Sequence, residues 1–472
     1  MKKGEAGRPS PPSRVSDLCP SLRTHISLTP SIYLIRVATG TMIGVAMVAI
    51  GVTYNLEVYL IKGFNVGRID ATQMYGVANG CISLAPVLGG VIADSFLGCS
   101  TVLVGGAASC FLGMLLFTLT AIWPSLRPPP CHGGAVCQPP TTAQLSVLFS
   151  AVGLLAAGVG GTRYNGMTLG ANQLFTDADR AAFFNWAFIA LYLSSIAGAT
   201  VLVYVQDSAG WHWGFALCAA IAAISFLLYF RGKPYFTPSK HNHSNDPFSS
   251  FRRNGNALIR LLPIISAGIL LSAAISLQTS LTVLQAMVMD RRVGGLLIPA
   301  GSINVFVLAT AAASITAVDR AGRSIAPLRR IAIGHVINIL AMAAMAATES
   351  RRLAAARPLS VLWLVPPLML IGFGEAFHFP GSVAFYYQDF PASLRSTATG
   401  TFAIVSGLGF YVSSAIISVI RRVTSWLQDD VNESRLDCVY GALALVCLLN
   451  FGYFMLCSWF YRRRRAEAEL SY

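Results

Sequence analysis

Residues 211–257 read WHWGFALCAAIAAISFLLYFRGKPYFTPSKHNHSNDPFSSFRRNGNA, and the contrast within this stretch decides the fold class. Residues 211–230 are almost wholly apolar and have the length of an α-helix that crosses a bilayer. Residues 231–257 are basic and rich in Ser, Asn and Pro, which is typical of a linker. Because long apolar runs lie on both sides, this linker divides a membrane protein into two parts.

Twelve apolar runs are long enough to be transmembrane helices, six before the linker and six after it. They lie at 33–61, 71–93, 100–123, 143–161, 183–205, 211–230, 258–284, 296–317, 328–347, 361–382, 397–419 and 437–461. The sequence therefore predicts an all-α membrane protein built from two six-helix halves, the layout of a duplicated transporter. The predicted segments are a disordered cytoplasmic tail (1–30), the N-terminal half (31–230), a cytoplasmic linker (231–257), the C-terminal half (258–461) and a basic cytoplasmic tail (462–472).

Composition favours the same class. Of the 472 residues, 54% are hydrophobic and only 11% are charged, and the mean hydropathy is +0.61. A soluble domain needs a more charged surface than this. We attribute the net charge of +14 to Lys and Arg residues in loops and tails that orient a membrane protein. Nucleic-acid binding is not expected, because no basic patch is interleaved with exposed aromatics. With both termini in the cytoplasm, 22 of the 34 Lys and Arg residues fall on the cytoplasmic side and 11 outside, so we expect that orientation.

Two features fall on the predicted outer side. Cys131 and Cys137 share a Pro- and Gly-rich loop, where they could form a disulfide or remain free. Asn432 begins the triplet Asn-Glu-Ser, an acceptor pattern for glycosylation. Since the triplet lies close to the membrane, an unmodified Asn432 is the alternative.

Charges within apolar spans are costly and usually face a cavity or a partner. Arg163 follows Gly158, Gly160 and Gly161 at the end of the fourth span, where the glycines allow close helix approach or a local break. Its guanidinium keeps its proton and carries five donors, so in a transport cavity it would attract an anion. The alternative is a structural or snorkelling Arg paired with a carboxylate.

Glu375 lies inside the tenth span, and His378 follows one helical turn later. A lone carboxylate at that depth tends toward neutrality unless a cation holds its charge. Glu375 is therefore a candidate proton carrier or ion-pair partner of Arg163, although backbone or water could also satisfy it. His378 is a second proton-linked candidate, although a structural hydrogen bond is the commoner role of a lone His in a span.

Four polar residues are further candidates for contact with substrate, namely Tyr164, Asn165, Gln278 and Thr279. Each could line a cavity or bond within the helix bundle. Glu57 lies near the outer end of the first span, and we expect it to reach the interface.

A tight turn is predicted after the second span, in GGVIADSFLG (89–98). Its residues Asp94, Gly90 and Gly98 are candidates for a gating or structural role rather than for substrate contact.

The sequence holds no HExxH, GxSxG, Walker or CxxC motif. The run GVGG (158–161) follows no strand and predicts a helix contact rather than a nucleotide loop. We therefore expect no enzyme activity, no cofactor and no metal.

Several motifs resemble known transporters. GGVIADSFLG (89–98) resembles the loop signature of the major facilitator superfamily between its second and third helices. Residues 170–207 and 372–400 are similar to the fourth-to-fifth and tenth-to-eleventh helix regions of the plant nitrate/peptide transporter family, which is of the proton-dependent oligopeptide transporter type. Four further stretches are most similar to its nitrate excretion transporter branch: YNLEVYLIKGFNV (54–66), ANGCISLAPVLGGVIADSF (78–96), GVGGTRYN (158–165) and SWLQDDVNESRLDCVY (425–440).

The resemblance extends over roughly residues 30–465 and implies a plant membrane protein with the major facilitator fold that moves nitrate or a related anion. Three departures accompany it. The ExxER-type motif of proton-coupled members would fall on Met42, Val45 and Ala46 and is absent. A nitrate-binding His of one relative falls near Ile275, and a Lys common at the end of the fourth helix is Arg163 here, whereas Glu375 matches the tenth-helix Glu.

These departures favour anion movement that is passive or weakly linked to protons, and they suit efflux. The expected mechanism is alternating access, in which Arg163 and Glu375 pair without substrate and an entering anion competes for Arg163.

The expected partners are a small anion, protons and the bilayer, with no nucleic acid. The sequence does not predict the oligomeric state. The plasma membrane is the expected location and the vacuolar membrane the alternative. The rival functions are transport of a larger organic substrate, such as a hormone, glucosinolate or peptide, and a non-transporting sensor.

Overall fold

A computed structural model describes residues 30–130, 137–171, 177–232, 259, 261–320, 325–389 and 395–470. Twelve helices of this described part are long and apolar enough to cross a membrane, which confirms the predicted fold class. They are α1 Pro30–Phe64, α2 Arg68–Ile92, α3 Cys99–Ile122, α4 Thr142–Ala171, α5 Asp177–Ala197, α6 Trp211–Gly232, α7 Leu262–Val288, α8 Val305–Arg320, α9 Pro327–Ala354, α10 Val365–Asp389, α11 Arg395–Val423 and α12 Leu436–Leu470. Helix α5 continues through a π-helical turn, Gly198–Leu202, into Val203–Ser208.

Short elements join some of these helices. A π-helical turn, Ala93–Leu97, follows α2, and 3-10 helices occur at Pro124–Leu126, Ala300–Asn304 and Val361–Leu364. The strands β1 (Arg292–Val293) and β2 (Leu296–Leu297) form a small antiparallel hairpin between α7 and α8. Most of the predicted linker, and residues 1–29 of the predicted N-terminal tail, lie outside the described residues. Part of the predicted C-terminal tail continues α12 as helix.

The two halves repeat the same packing. Helix α3 packs against α4 and α6, and α9 packs against α10 and α12 in the same way. The halves meet where α2 lies along α11 and where α5 contacts α8. The repeat relates α2 to α8 and α5 to α11, so it maps each of these two contacts onto the other, as expected for a duplicated transporter.

Glycines bring α4 close to its neighbours. A methyl group added to Gly160 would lie 2.6 Å from the carbonyl oxygen of Ala85 on α2, and one added to Gly161 would lie 2.8 Å from Cα of Gly106 on α3. Such small residues allow helix backbones to approach closely. The predicted end of this span at residue 161 was therefore too early: the glycines serve helix contact and not a break. Helix α4 runs on to Ala171, which places Arg163 inside it.

The link between α2 and α3 is a tight turn, in agreement with the sequence pattern. Gly98 has a φ of 75°, in the left-handed region that favours glycine. Gly90 has open space around its Cα, since nothing lies within 4 Å of an added methyl group. The side chain of Asp94 lies outside the described residues.

One end of the molecule is held shut by ion pairs between the halves. Among the described residues these pairs are Arg68 with Asp430 at 3.5 Å, Arg291 with Asp207 at 3.6 Å, and Arg421 with Asp70. Beneath them, Val58 and Ile69 of the N-terminal half belong to the same buried apolar cluster as Leu427 and Val431 of the C-terminal half. We call this the closed end, and on the predicted topology it faces outside.

Candidate functional site

A cavity of about 380 Å³ lies between the two halves. Its described lining comes from α1, α2, α4 and α5 on one side and from the region of α7, α8, α10 and α11 on the other. Five residues that the sequence singled out are part of this lining: Arg163, Tyr164, Thr279, Glu375 and His378. A central cavity shared by two repeats is where transporters of this architecture hold their substrate.

Arg163 brings a permanent positive charge to the cavity. Its side chain is exposed, although it projects from the middle of the bundle. It has no hydrogen bond and no ion pair with any residue that the structure describes. The guanidinium and its donors are therefore available to a ligand in the cavity.

Glu375 is the acidic counterpart from α10. It is half-buried in the same cavity, and among the described residues it forms no ion pair, with Arg163 or with any other residue. The Arg163–Glu375 pair expected of the empty transporter is therefore not formed in this conformation. Tyr192 of α5 lines the same cavity and interacts electrostatically with both residues.

His378 lies at the edge of the cavity and is only 3% exposed. Its ring centroid is 5.9 Å from that of His335 on α9, with the two rings roughly perpendicular. The Nε2 atom of His378 and both ring nitrogens of His335 are buried without a hydrogen-bond partner in the described part of the chain. Sequence reasoning missed His335, because a His in an apolar span gives no sign of what it faces.

Two of the predicted residues do not line the cavity. Asn165 is buried and donates to the carbonyl oxygens of Gly89 at 3.3 Å and Gly161 at 3.2 Å, so it ties α4 to α2. Gln278 is fully buried, and neither of its amide atoms has a partner among the described residues. Thr279 does reach the cavity, where its hydroxyl donates to the carbonyl oxygen of Ile275.

Comparison with known proteins agrees with this architecture. The family model described as "POT family" matches residues 100–255 and 248–432, which together are more than half of the chain. The chain belongs to the POT family. The Arabidopsis thaliana proteins NRT1/PTR FAMILY 2.7 and NRT1/PTR FAMILY 2.3 are 39% and 36% identical to it. These alignments cover 91% and 90% of this chain, and 92% of each relative.

Solved structures of POT family transporters have the same fold. A peptide transporter POT in complex with sulfate superposes with a TM-score of 0.71 at 13% identity, covering 90% of this chain and 94% of that one. An auto-inhibited POT family peptide transporter gives a TM-score of 0.72 at 15% identity, covering 91% and 97%. At these identities the likeness establishes the fold. Family and fold together make the chain a multi-pass membrane transporter.

The central cavity of this POT family member has aromatic residues along its wall, and sequence reasoning did not identify them. Tyr54, Tyr75, Phe379, Phe402 and Phe410 all line it. Two of these lie in stretches that were quoted only for their resemblance to the family. Aromatic residues at helical spacing are common in apolar spans, so the sequence alone does not separate those that face a cavity from those that face lipid.

Two predicted features of the loops can be placed. Cys137 is disulfide-bonded, whereas Cys131 lies outside the described residues, so their pairing stays a prediction. Asn432 is exposed, and its Oδ1 accepts a hydrogen bond of 2.8 Å from Arg352. The hydroxyl of Ser434, in the same triplet, is buried and accepts from the backbone N–H of Gln428. The triplet is therefore part of the packed loop before α12, and its glycosylation stays a prediction.

Proposed function

We propose that this POT family member transports nitrate or a related small anion by alternating access, with passive or weakly proton-linked movement in the direction of efflux. Arg163 is the anion-binding residue of this proposal. The observation that carries it is that Arg163 is exposed in the central cavity and has no carboxylate partner among the described residues. A fixed cation in a largely apolar cavity attracts an anion, because low-dielectric walls strengthen the interaction relative to bulk water.

Glu375 and His378 provide the weak proton linkage of the proposal. Both line the cavity, and Glu375 faces the same space as Arg163. When an anion occupies Arg163, its negative charge disfavours a second negative charge on Glu375, which then binds a proton. The absence of carboxylates at Met42, Val45 and Ala46 supports weak rather than strict coupling, because α1 offers no second acid at that depth.

The proposal includes orientation and location. The excess of Lys and Arg on one side supports cytoplasmic termini, which places the closed end outside. We assign the protein to the plasma membrane, with the vacuolar membrane as the alternative. A C-terminal tag that antibodies reach only after permeabilisation of the cells would support this orientation, and labelling of intact cells would contradict it.

The test is nitrate flux into proteoliposomes that contain the purified chain. Arg163→Ala should lower the flux by about tenfold or more, since a hydrogen bond to a charged group contributes on the order of 1.5–3 kcal/mol. Arg163→Lys should retain part of the activity because it keeps the charge but not the fork of donors. Arg422→Ala removes an exposed Arg at the end of α11 and should leave the flux unchanged. Equal flux in Arg163→Ala and the unmodified protein would refute the proposal.

A second candidate function is transport of a larger organic anion. The cavity volume of about 380 Å³ and its aromatic wall favour it, because nitrate fills only a small part of such a space. Competition separates the two functions: organic acids that block nitrate flux at lower concentration than nitrate itself would favour the organic substrate. Ligand binding without flux of any anion would instead favour a non-transporting sensor.

A further inference from the structure

A buried acid without a cation partner among the described residues lies on α1 between the cavity and the closed end. Glu57 is fully buried, so the expectation that it reaches the interface was wrong. It stands between Tyr54, which lines the cavity, and Lys62, which lies at the closed end. Its Oε1 accepts a hydrogen bond from the hydroxyl of Thr72 on α2, while its Oε2 has no partner among the described residues.

No cation in the described part of the chain pairs with Glu57. The titratable groups that interact with it are the phenols of Tyr75 on α2 and Tyr440 on α12. A pair of opposite charges, Glu349 and Arg352 on α9, lies on the other side of Tyr440, and these two bind each other. Among the described residues, the carboxyl of Glu57 therefore interacts with neutral hydroxyl groups and forms no ion pair.

Other buried polar groups near α1 are also without partners in the described residues. They are both amide atoms of Gln278 on α7, together with Ser302 Oγ and Asn304 Oδ1 in the 3-10 helix before α8. This 3-10 helix packs directly on α1, where a methyl group on Gly301 would lie 2.3 Å from the carbonyl oxygen of Tyr54. We call Glu57, Gln278, Ser302 and Asn304 the polar seam.

An unpartnered buried polar atom destabilises the state that buries it, and a buried unpaired charge does so more strongly. The polar seam is therefore poorly satisfied while the closed end stays shut. Alternating access requires this end to open in another state, and water would then reach the seam.

We propose that Glu57 is a proton-binding site whose occupancy is linked to the opening of the closed end. With the end shut, the buried and unpaired position of Glu57 holds the neutral carboxylic acid. With the end open, water solvates the carboxylate, and the proton leaves. By linkage, acid at this face favours the shut state and alkali favours the open state. This inference depends on the chain being a transporter and not on nitrate or Arg163.

The ion pairs at the closed end predict the opposite response to pH. They use Asp70, Asp207 and Asp430, which lie nearer to the surface than Glu57. Acid would neutralise these carboxylates and weaken the pairs, so it would favour the open state. The sign of the pH response therefore distinguishes control by Glu57 from control by the ion pairs.

Hydrogen–deuterium exchange of the full chain in lipid nanodiscs, without substrate, tests the proposal. Exchange would be measured between pH 5 and pH 8 and corrected for the intrinsic chemical rate, in peptides that cover residues 54–75 and 278–304. In the unmodified protein we expect opening to increase with pH. The increase should approach tenfold per pH unit over the pH range between the values at which Glu57 loses its proton in the open state and in the shut state.

Glu57→Gln should give low exchange that no longer depends on pH, because the neutral amide mimics the protonated acid. Glu433→Gln removes an exposed carboxylate from the loop before α12 and should respond as the unmodified protein does. A full pH response in Glu57→Gln would overturn the proposal. If Glu57→Gln does not fold, the unmodified protein decides: exchange that is constant or falls as pH rises would also overturn it.

Discussion

At the scale of single residues, one ion pair shows how this protein keeps buried charge. Glu349 and Arg352 on α9 are both buried, and Arg352 donates to each carboxylate oxygen at 2.8 Å. Gln285 of α7 also donates to Glu349, at 2.6 Å. Arg352 further donates to the carbonyl oxygen of Val431 and to Asn432, so the pair anchors the loop that carries Asp430.

Removing one member of this pair should be much worse than removing both. We expect Arg352→Met to destabilise the fold by about 3–5 kcal/mol, because Glu349 would stay buried without a cation. The double variant Glu349→Gln with Arg352→Met should regain part of that loss. The measurement is thermal unfolding of the purified protein in detergent, followed by tryptophan fluorescence.

The neighbouring residue provides the control. Arg351 is exposed and lies over the ring of Trp363, with 5.2 Å between its Cζ and the ring centroid. Arg351→Met should cost no more than about 1 kcal/mol, the usual size of an exposed cation–π contact. Equal losses in the two single variants would show that burial of the Arg352 pair does not matter.

The same residues show what a sequence can predict at this scale. Arg163 and Glu375 were visible because a charge in an apolar span stands out, and the structure places both in one cavity. Arg352 follows the ninth predicted span, and Glu57 was expected at the interface, yet both are buried. Their positions near span ends fit either environment, and only tertiary contacts decide between them.

At the scale of elements, two adjacent glycines on α2 differ in what surrounds them. A methyl group on Gly89 would lie 2.0 Å from the carbonyl oxygen of Gly160 on α4, whereas one on Gly90 meets nothing within 4 Å. The sequence pattern GG gives no reason to separate them, since both are helical and both belong to the predicted turn motif. Their difference comes from the face of α2 that α4 covers.

This difference predicts opposite effects of the same substitution. Gly89→Ala should lower stability by about 1–3 kcal/mol or more, because the backbones of α2 and α4 must move apart. Gly90→Ala should be neutral or stabilise by up to about 1 kcal/mol, because Ala favours helix over Gly. Thermal unfolding of both variants tests this, and a Gly90→Ala loss as large as that of Gly89→Ala would contradict the assigned packing.

At the scale of the whole molecule, the hydropathy pattern was sufficient for the fold. Each predicted span corresponds to one helix, and six of these helices precede the predicted linker while six follow it. The pattern could not predict how the halves are tilted against each other. The apolar runs carry no periodic pattern that marks the contacts between the two repeats. The closed end depends on charges that meet across 351 residues of sequence, as Asp70 and Arg421 do.

Those charges should set the balance between the shut and open states. Exposed ion pairs contribute about 0.2–1 kcal/mol each, so loss of one should change the open population by no more than roughly fivefold. We expect Arg421→Glu to increase exchange at the closed end beyond that range, because it removes the pair and also places a second negative charge beside Asp70. The double variant Asp70→Lys with Arg421→Glu reverses the pair and should restore the original exchange.

Arg422 is the matched control, since it is also exposed on the last turn of α11 but has no ion-pair partner among the described residues. Arg422→Glu should leave exchange at the closed end unchanged. Raising the salt concentration should increase opening in the unmodified protein and reduce the effect of Arg421→Glu, because salt screens exposed charges. An Arg421→Glu effect that is insensitive to salt, or that Asp70→Lys fails to reverse, would mean that the apolar cluster beneath the ion pairs holds the closed end by itself.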